Sequence, residues 1–266
     1  MIKMIKVSVV TISYNEGTRL ESTVESVALQ TYQKVEYIVI DGGSNDGSID
    51  IINKYNYGID HYSSVPDQGK YDAMNKGLNI ASGDWIIFMN AGDTFLDKNT
   101  LSEAVSNFSN MENIYFGRAN IISLNNESWL YPAKFIDTSK IHKWLKKNLP
   151  NHQATFFPKS FYKFNLYDTS LDISADSKYK EQALKDCPYT FLNMTVCNFF
   201  IGGVSSSPSI KNMVINCNNR YARGKSSIDY LNCIFKSVIK WLLNVFFGHH
   251  SHRFITNLKN YFARIL

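Results

Sequence analysis

VSVVTISYNEG, residues 7–17, is a run rich in Val and Ile that ends in polar residues. The short apolar run at residues 6–12 is typical of a strand buried on both faces of a parallel sheet. Apolar residues then recur at helical spacing over residues 19–29, which indicates an amphipathic helix. The same order, strand and then helix, returns at residues 35–40 and 49–55. These segments predict successive β-α units and therefore an α/β fold.

The alternation continues with a short strand at residues 61–65, a helix at 69–80 and an apolar strand at 85–89. Strict alternation of strands and helices predicts a doubly wound parallel sheet. Beyond residue 99 the pattern becomes mixed. Strands are expected there at 114–122, 128–131, 154–157 and 189–196, with helices at 139–147 and 174–184. A hairpin turn is expected around Asn125 and Asn126.

Basic residues are concentrated in the C-terminal segment, residues 218–266. Eight of the 28 Lys and Arg residues lie there with a single acid, so this segment carries +7; the whole chain carries +5, which leaves −2 for residues 1–217. Apolar side chains share one helical face between residues 228 and 247. This favours an interfacial helix on an anionic lipid surface, and a helix packed on the domain is the alternative. No apolar run reaches the roughly 18–20 residues of a membrane span.

The cysteines and the loop after the first strand argue against several classes of protein. Cys187, Cys197, Cys217 and Cys233 lack CxxC spacing, so they predict neither a zinc site nor a disulfide framework and favour a reduced cytosolic compartment. A dinucleotide site needs GxGxxG directly after the first strand, where this chain reads SYNEGT at residues 13–18. A dehydrogenase is therefore disfavoured, and a P-loop lysine motif is also absent from the sequence.

Polar residues follow three of the predicted strands, at residues 11–16, 41–44 and 90–93. In an open α/β sheet, ligands bind outside the carboxyl ends of the strands. The three clusters should therefore meet at one edge, here called the strand-end edge. Each cluster alone would also fit an ordinary turn with a helix cap, so their expected convergence is the stronger signal for a binding site.

Three stretches in this order, VSVVTISYNEG, IVIDGGSNDGS (residues 38–48) and ASGDWIIFMNAGD (residues 81–93), resemble the family 2 glycosyltransferases, which have the GT-A fold. PDQGKYDAMNKGLNIASGDW, residues 66–85, is similar to a bacterial subgroup that builds surface polysaccharides. The resemblance is strong over residues 6–97 and looser over 150–206. It implies a doubly wound mixed sheet in a catalytic domain at 1–217. That domain would have a Rossmann-like nucleotide-sugar half at 1–98 and an acceptor half at 99–217, followed by a basic amphipathic helical tail at 218–266.

The resemblance also implies a donor site at the strand-end edge. It assigns the nucleoside to Thr11, Ser13, Glu16, Asp41 and Gly42, and the donor sugar or phosphate to Asp67 and Lys76. The alternative for Asp67 and Lys76 is that they are solvent-exposed residues that contact no ligand. A divalent cation, Mn²⁺ or Mg²⁺, is expected to bridge the donor phosphates at Asn90-Ala91-Gly92-Asp93. Oxygen ligands suit a hard cation. The family motif usually has two or three aspartates, whereas here Asp93 is the only acidic ligand.

On the acceptor side, the resemblance implies that Asp176 is the general base of an inverting transfer. The alternative is that Asp172 or Asp176 caps the predicted helix at 174–184. Residues 151–155 and 202–205 also match the subgroup. His152 is predicted to contact acceptor or phosphate near the metal, against the alternative of a structural histidine.

The resemblance as a whole implies transfer of a hexosyl or N-acetylhexosaminyl group from a nucleotide sugar, with UDP as the default nucleotide. The acceptor is expected to be a lipid-linked saccharide in O-antigen, capsule or exopolysaccharide synthesis, at the cytoplasmic face of the membrane. No nucleic-acid partner is expected. Two alternatives are a nucleotidyltransferase, whose glycine-rich basic loop is lacking here, and a non-catalytic membrane-associated scaffold of the same fold.

Overall fold

The computed structural model describes residues 4–171 and 173–201, together with five later positions, 231, 234, 235, 238 and 239. Chain contacts divide the protein into two units. The first contains residues 1–121, 130–169 and 175–199, and the second contains 122–129, 170–174 and 200–266. Within the described residues, no helix combines the length and the hydropathy that crossing a membrane requires.

The β-α units predicted for the N-terminal half are confirmed, with boundaries that shift by at most one residue. The elements there are β1 (Val7–Ser13), α1 (Thr18–Ala28), β2 (Val35–Asp41), α2 (Ser48–Lys54), β3 (His61–Ser64), α3 (Lys70–Ile80) and β4 (Trp85–Phe88). β1 and β4 are buried along their whole length, as their continuous apolar runs predict.

The later elements include three that the sequence patterns did not predict. They are β5 (Thr94–Phe95), α4 (Thr100–Ser106), β6 (Ile114–Ile122), β7 (Ser128–Tyr131), α5 (Ile141–Leu145), β8 (Thr155–Pro158), α6 (Lys159–Tyr162), α7 (Ala175–Asp186) and β9 (Tyr189–Phe200). The unpredicted ones, β5, α4 and α6, are two to seven residues long. Segments this short carry too few periods for a hydrophobic pattern to stand out.

The sheet is mixed. Strands β3, β2, β1 and β4 run parallel to one another, while β8 pairs antiparallel with β4 and with β6. The full path is β3-β2-β1-β4-β8-β6-β9-β5. The predicted doubly wound mixed sheet is therefore confirmed, with the parallel half formed by the N-terminal β-α units.

Helix α3 lies unusually close to the sheet. A Cβ atom at Gly77 would come within 2.6 Å of Val10 Cγ1, so only glycine permits this approach. Glycine inside a helix costs roughly 1 kcal/mol relative to alanine, and the close packing of α3 on β1 explains its presence. Asn75 on the same helix brackets the backbone of Tyr167: its Nδ2 donates to Tyr167 O (2.9 Å) and its Oδ1 accepts from Tyr167 N–H (2.8 Å).

In the second unit, a turn is closed by the Ser123 N–H, which donates to Glu127 O at 2.9 Å. Asn126 has φ 58°, a left-handed conformation that asparagine tolerates better than most residues, and this agrees with the predicted turn. The five described tail positions are helical and exposed: Leu231, Ile234, Phe235, Val238 and Ile239. The remainder of the predicted tail helix, residues 202–205 and Asp172 lie outside the described residues.

Candidate active site

The three polar clusters meet at one edge of the parallel half-sheet, as predicted. Ser13 and Asp41 are register partners at the ends of β1 and β2, and the Gly42 N–H donates to Ser13 O at 2.8 Å. On the other side of β1, the Ala91 N–H donates to Ile12 O at 3.2 Å. Parallel pairing fixes this convergence, because all three chain segments leave the sheet in the same direction.

Asp41 is fully buried and shapes the loop after β2. Its Oδ2 accepts from the backbone N–H groups of Gly43 (3.0 Å) and Ser44 (2.8 Å) and from the Ser64 hydroxyl (2.7 Å). Its Oδ1 accepts from the Ser44 hydroxyl at 2.5 Å. Four donors therefore hold the carboxylate, so any ligand contact at this position involves the whole turn.

Gly42 is buried beneath a carboxylate and an aromatic ring, an arrangement here called the Gly42 recess. A Cβ atom there would lie 2.7 Å from Asp67 Oδ2 and 3.2 Å from Tyr14 Cδ2. Asp67 is held by the Gly69 N–H, which donates to its Oδ1 at 2.8 Å. The Tyr14 side chain is 62% exposed, so an exposed aromatic ring lies beside the Asp67 carboxylate over the buried Gly42. Tyr14 was not among the predicted site residues, although its place directly after β1 was a usable signal.

The hydroxyl groups at the end of β1 differ in their availability. Thr11 is fully buried; its Oγ1 donates to Met89 O (2.8 Å) and lies 3.0 Å from the Tyr37 hydroxyl. It therefore supports the edge from within the sheet, and its predicted contact with a nucleoside stays a prediction. The buried Ser13 Oγ has no hydrogen-bond partner among the described residues, and its predicted contact with the nucleoside also stays a prediction.

An arginine that the sequence patterns did not single out lies over the 90–93 loop. A Cβ atom at Gly92 would come within 2.5 Å of the Arg19 guanidinium, and Gly92 has φ 95°. Arg19 also pairs with Glu16 at 3.3 Å. The pKa of Glu16 is raised by burial, against the lowering effect of Arg19, and nearby Asp46 adds to the rise. A positive charge thus sits beside the loop expected to face the donor phosphates.

The 90–93 loop is held from below by Thr23 of α1. The Thr23 hydroxyl donates to Asp93 O at 2.7 Å and accepts from the Gly92 N–H at 2.9 Å. Asp93 itself is buried, and the buried Asn90 Oδ1 has no partner within the described part of the chain. That part contains no group of three or more His, Cys, Asp or Glu residues able to hold a metal. Asp93 and Asn90 still present the oxygen donors that a hard divalent cation prefers, so these residues fit one.

Asp176 lies in the first turn of α7, with a different partner on each carboxylate oxygen. The Tyr71 hydroxyl donates to Oδ1 and the Lys180 ammonium to Oδ2, both at 3.2 Å. Burial acts to raise the pKa of Asp176, but the positive charge of Lys180 and further favourable interactions with His152 and Lys70 outweigh it and hold this pKa far below its ordinary value. Asp176 is therefore ionised at neutral pH.

His152 is buried in an aromatic cluster beside Asp176. Its Nε2 lies 2.7 Å from the Tyr167 hydroxyl, and its ring packs on Phe88 and Phe157. Burial lowers the pKa of His152 to about 3, and Lys180 adds to this effect, so the ring is neutral at pH 7. Nδ1 is buried without a partner among the described residues. Nε2 is thus anchored as in a structural histidine, and the predicted ligand role depends on Nδ1.

Lys76 is engaged locally on α3. Its Nζ lies 3.1 Å from Asp72 Oδ2 and 3.4 Å from Pro66 O, next to Asp67. The structure therefore gathers Ser13, Asp41, Gly42 and Asp67 around one recess, and Glu16, Arg19 and Gly92 beside it, while Lys76 stays tied to its own helix. Contact of Lys76 with donor sugar or phosphate stays a prediction.

The sequence model of Glycosyl transferase family 2 matches residues 8–166. An uncharacterised glycosyltransferase of Mycobacterium tuberculosis is 34% identical over 207 residues, which cover 75% of this chain and 77% of that protein. The chain belongs to glycosyl transferase family 2. Another relative of this family 2 glycosyltransferase is a PGL/p-HBAD biosynthesis glycosyltransferase of Mycobacterium bovis. It is 30% identical over 162 residues, or 58% of this chain and 60% of that protein.

Solved structures agree on the fold. The glycosyltransferase superposes on S. aureus TarS 1-349 in complex with UDP-GlcNAc with a TM-score of 0.65 and 17% identity, over 93% of this chain and 73% of that one. The mannosyltransferase PcManGT from Pyrobaculum calidifontis, in complex with GDP-Man and Mn²⁺, gives a TM-score of 0.61 and 14% identity over 94% of this chain and 73% of that one. The expected family, GT-A fold and enzyme class are confirmed, and they argue against the nucleotidyltransferase alternative.

Proposed function

We propose that this family 2 glycosyltransferase transfers a hexosyl or N-acetylhexosaminyl group from a nucleotide sugar to an acceptor hydroxyl, with inversion and with Asp176 as the base. The observation that carries the proposal is the Tyr71–Asp176 hydrogen bond of 3.2 Å. Tyr71 lies in the first turn of α3, four residues after Asp67, which borders the Gly42 recess. One short segment therefore connects the recess at the strand-end edge with the ionised carboxylate.

The recess around Gly42 suits the nucleoside of the donor. The exposed Tyr14 ring offers a stacking surface for a base, and the flanking Asp67 carboxylate accepts hydrogen bonds. We assign the Ser13 hydroxyl, which has no partner among the described residues, and Glu16 to the ribose. UDP is the favoured nucleotide, supported by the TarS structure, which is a complex with UDP-GlcNAc.

The diphosphate of the donor is assigned to the 90–93 loop. Asp93 and Asn90, with His152 as the third predicted ligand, would hold Mn²⁺ or Mg²⁺, which when bound supplies positive charge to a departing diphosphate. The PcManGT complex contains Mn²⁺, which supports a divalent cation in this fold. With one carboxylate in the loop, Arg19 beside Gly92 provides further positive charge next to the phosphates.

The transfer is a single displacement. The acceptor oxygen forms a bond to the anomeric carbon while Asp176 takes the hydroxyl proton, and the bond from that carbon to the diphosphate breaks with its electron pair leaving on the phosphate oxygen. Because the pKa of Asp176 is held low, its carboxylate is unprotonated throughout the physiological range, as a general base must be before it acts. Attack from the face opposite the leaving group inverts the anomeric configuration.

The acceptor is assigned to the class of lipid-linked saccharides used in surface polysaccharide synthesis, such as lipopolysaccharide, O-antigen or capsule. Support comes from the tail: Leu231, Ile234, Phe235 and Val238 are exposed on the helical face predicted to be apolar, in a segment of charge +7. Exposed apolar side chains with surrounding lysines suit an anionic membrane surface. We therefore propose that the enzyme acts at the cytoplasmic face of the membrane, as a peripheral protein.

Two measurements test this proposal. The first is a thermal-shift screen with UDP, GDP, dTDP and CMP, each with and without Mn²⁺. A ligand at a hundredfold excess over its Kd adds about 2.7 kcal/mol of stability, so the cognate nucleotide stands out. Failure of every nucleotide to shift the melting temperature would contradict the donor site.

The second measurement is nucleoside diphosphate release by the Asp176→Asn variant, which is expected to lose about 10²–10⁴-fold in rate. Its thermal shift with nucleotide should remain, because the amide cannot act as a base but leaves the donor recess intact. Asp186→Asn, an exposed position at the end of the same helix, is the matched control. Full activity of Asp176→Asn would place the base elsewhere.

A further inference from the structure

Lys180 is a buried cation to which the proposed reaction gives no role. Its side chain is 8% exposed, whereas that of Lys178 on the same helix is 50% exposed and pairs with Asp168 at the surface. Lysine is rarely buried without a partner, because the loss of hydration is costly. The partner of Lys180 is Asp176, one helical turn earlier, at 3.2 Å.

The two oxygens of the Asp176 carboxylate are held from two different helices. Lys180 of α7 holds Oδ2, and Tyr71 of α3 holds Oδ1. The Tyr71 ring is itself fixed, because it stacks on Tyr167 (5.9 Å between centroids), which stacks on Tyr179 (4.1 Å). Two donors at fixed positions define the plane of the carboxylate and leave its remaining lone pairs for an acceptor hydroxyl.

Six charged or titratable groups surround Asp176, and Lys180 is the cation that contacts its carboxylate directly. Helix α3 contributes Lys70 and Tyr71, and α7 contributes Tyr179 and Lys180. A 3₁₀ turn at His152–Ala154, before β8, contributes His152, and the loop between α6 and α7 contributes Tyr167. Burial raises the pKa of each of the three tyrosines and lowers that of His152, so all four are neutral at pH 7. Among these six, the positive charges are Lys70 and Lys180, and Lys180 donates directly to the carboxylate.

A purely structural role accounts poorly for this pair. Replacing a buried ion pair by apolar residues of similar size is often neutral or stabilising, because removing two charges from water costs about as much as their attraction returns. The same lysine beside a general base has a chemical effect: it favours the ionised carboxylate and fixes its orientation.

We propose that Lys180 is a positioning residue that keeps Asp176 ionised and turned toward the acceptor, so that transfer retains its base under mildly acidic conditions. This inference rests on the proposed function. The positive charge of Lys180 also makes the ionisation of Asp176 insensitive to changes in pH near neutrality.

The test compares Lys180→Met with Lys178→Met, the same substitution at an exposed position of α7. The first readout is ¹³C NMR of protein labelled at its aspartate carboxyl groups, with the Asp176 signal assigned through Asp176→Asn. In the native protein and in Lys178→Met this signal should stay at its ionised position down to about pH 4, near the ordinary aspartate pKa. In Lys180→Met the midpoint should rise by about 1–3 pH units. Lys180→Gln, which also lacks the charge, is examined in the same way if the methionine variant does not fold.

The second readout is the pH profile of kcat/KM for nucleoside diphosphate release from the nucleotide sugar selected by the thermal-shift screen. Lys180→Met should lose on the order of 10–100-fold at neutral pH, as misplaced catalytic groups do, and its acid limb should move upward. Lys180→Arg should restore the acid limb. An unchanged Asp176 titration in both the methionine and glutamine variants, or a rate profile equal to that of Lys178→Met, would overturn the inference. Loss of the Asp176 requirement itself would instead refute the proposed function.

Discussion

The Gly42→Ala substitution would place a methyl group in the recess assigned to the nucleoside. The new Cβ would lie 2.7 Å from Asp67 Oδ2 and 3.2 Å from Tyr14 Cδ2. A carbon–oxygen approach under 3.0 Å is not tolerated, so the Asp67 side chain must move by roughly half an ångström or more to reach ordinary contact distance. Gly42 is not in the left-handed region, so alanine introduces no backbone strain there.

Moving Asp67 weakens its hydrogen bond from the Gly69 N–H, now 2.8 Å. A hydrogen bond to a charged group contributes about 1.5–3 kcal/mol, and partial exposure of this one reduces the figure to about 1–1.5 kcal/mol. If Asp67 must occupy its present position to bind the donor, nucleotide affinity should fall by about tenfold. The fold should persist, since Asp67 and Tyr14 both border solvent.

Isothermal titration of nucleoside diphosphate into the native protein and the variant measures this change. Gly58→Ala is the matched control, because its Cβ would meet Ala28 at an ordinary 3.4 Å and lies outside the strand-end edge. Equal affinities for Gly42→Ala and Gly58→Ala, with both proteins folded, would refute the assignment of the recess to the nucleoside.

Two further predictions concern stability. Gly77→Ala would force a Cβ to 2.6 Å from Val10 Cγ1. The cost of overpacking, about 1–3 kcal/mol, should exceed the gain in helix propensity of roughly 1 kcal/mol, so the urea midpoint of unfolding should fall. A rise in this midpoint would contradict the packing of α3 on β1. Burial acts against the ionised form of Glu36, but hydrogen bonds from Lys6, Ser8 and Ser82 outweigh it and lower its pKa from 4.5 to about 2. The contribution of ionised Glu36 to stability is present above pH 4.5 and is lost as the pH falls toward 2. Glu36→Gln should therefore flatten the acid side of the profile of unfolding free energy against pH. An unchanged slope would contradict this prediction.

Much of the site could be predicted from the sequence because parallel β-α units obey a simple rule. Apolar strands followed by helices place their carboxyl ends at one edge, so the clusters ending β1, β2 and β4 had to meet there. The pairing of Ser13 with Asp41 and the contact of Ala91 with Ile12 follow directly from that rule. The spacing of Lys180 four residues after Asp176 was also readable, although it gave no sign that this lysine is buried.

Contacts between distant segments required the tertiary structure. Tyr71 and Asp176 are 105 residues apart and meet because α3 is held close to the sheet at Gly77 and α7 is packed beside it through stacked rings. Arg19 lies over Gly92 because helix α1, which carries Arg19, is hydrogen-bonded to the 90–93 loop through Thr23. No local pattern encodes such pairs, because they depend on the orientation of whole helices.

The sequence by itself determined the family, the β-α order and the set of polar residues that face one edge, since these follow from periodicity and from short motifs. Only the tertiary structure decided which of those residues are available. It left the Ser13 hydroxyl without a protein partner among the described residues while it engaged Thr11 inside the sheet, and it placed a buried lysine against Asp176. The physical reason is that availability and pKa depend on burial and on neighbours brought together by packing, whereas periodicity reports only which face a residue occupies.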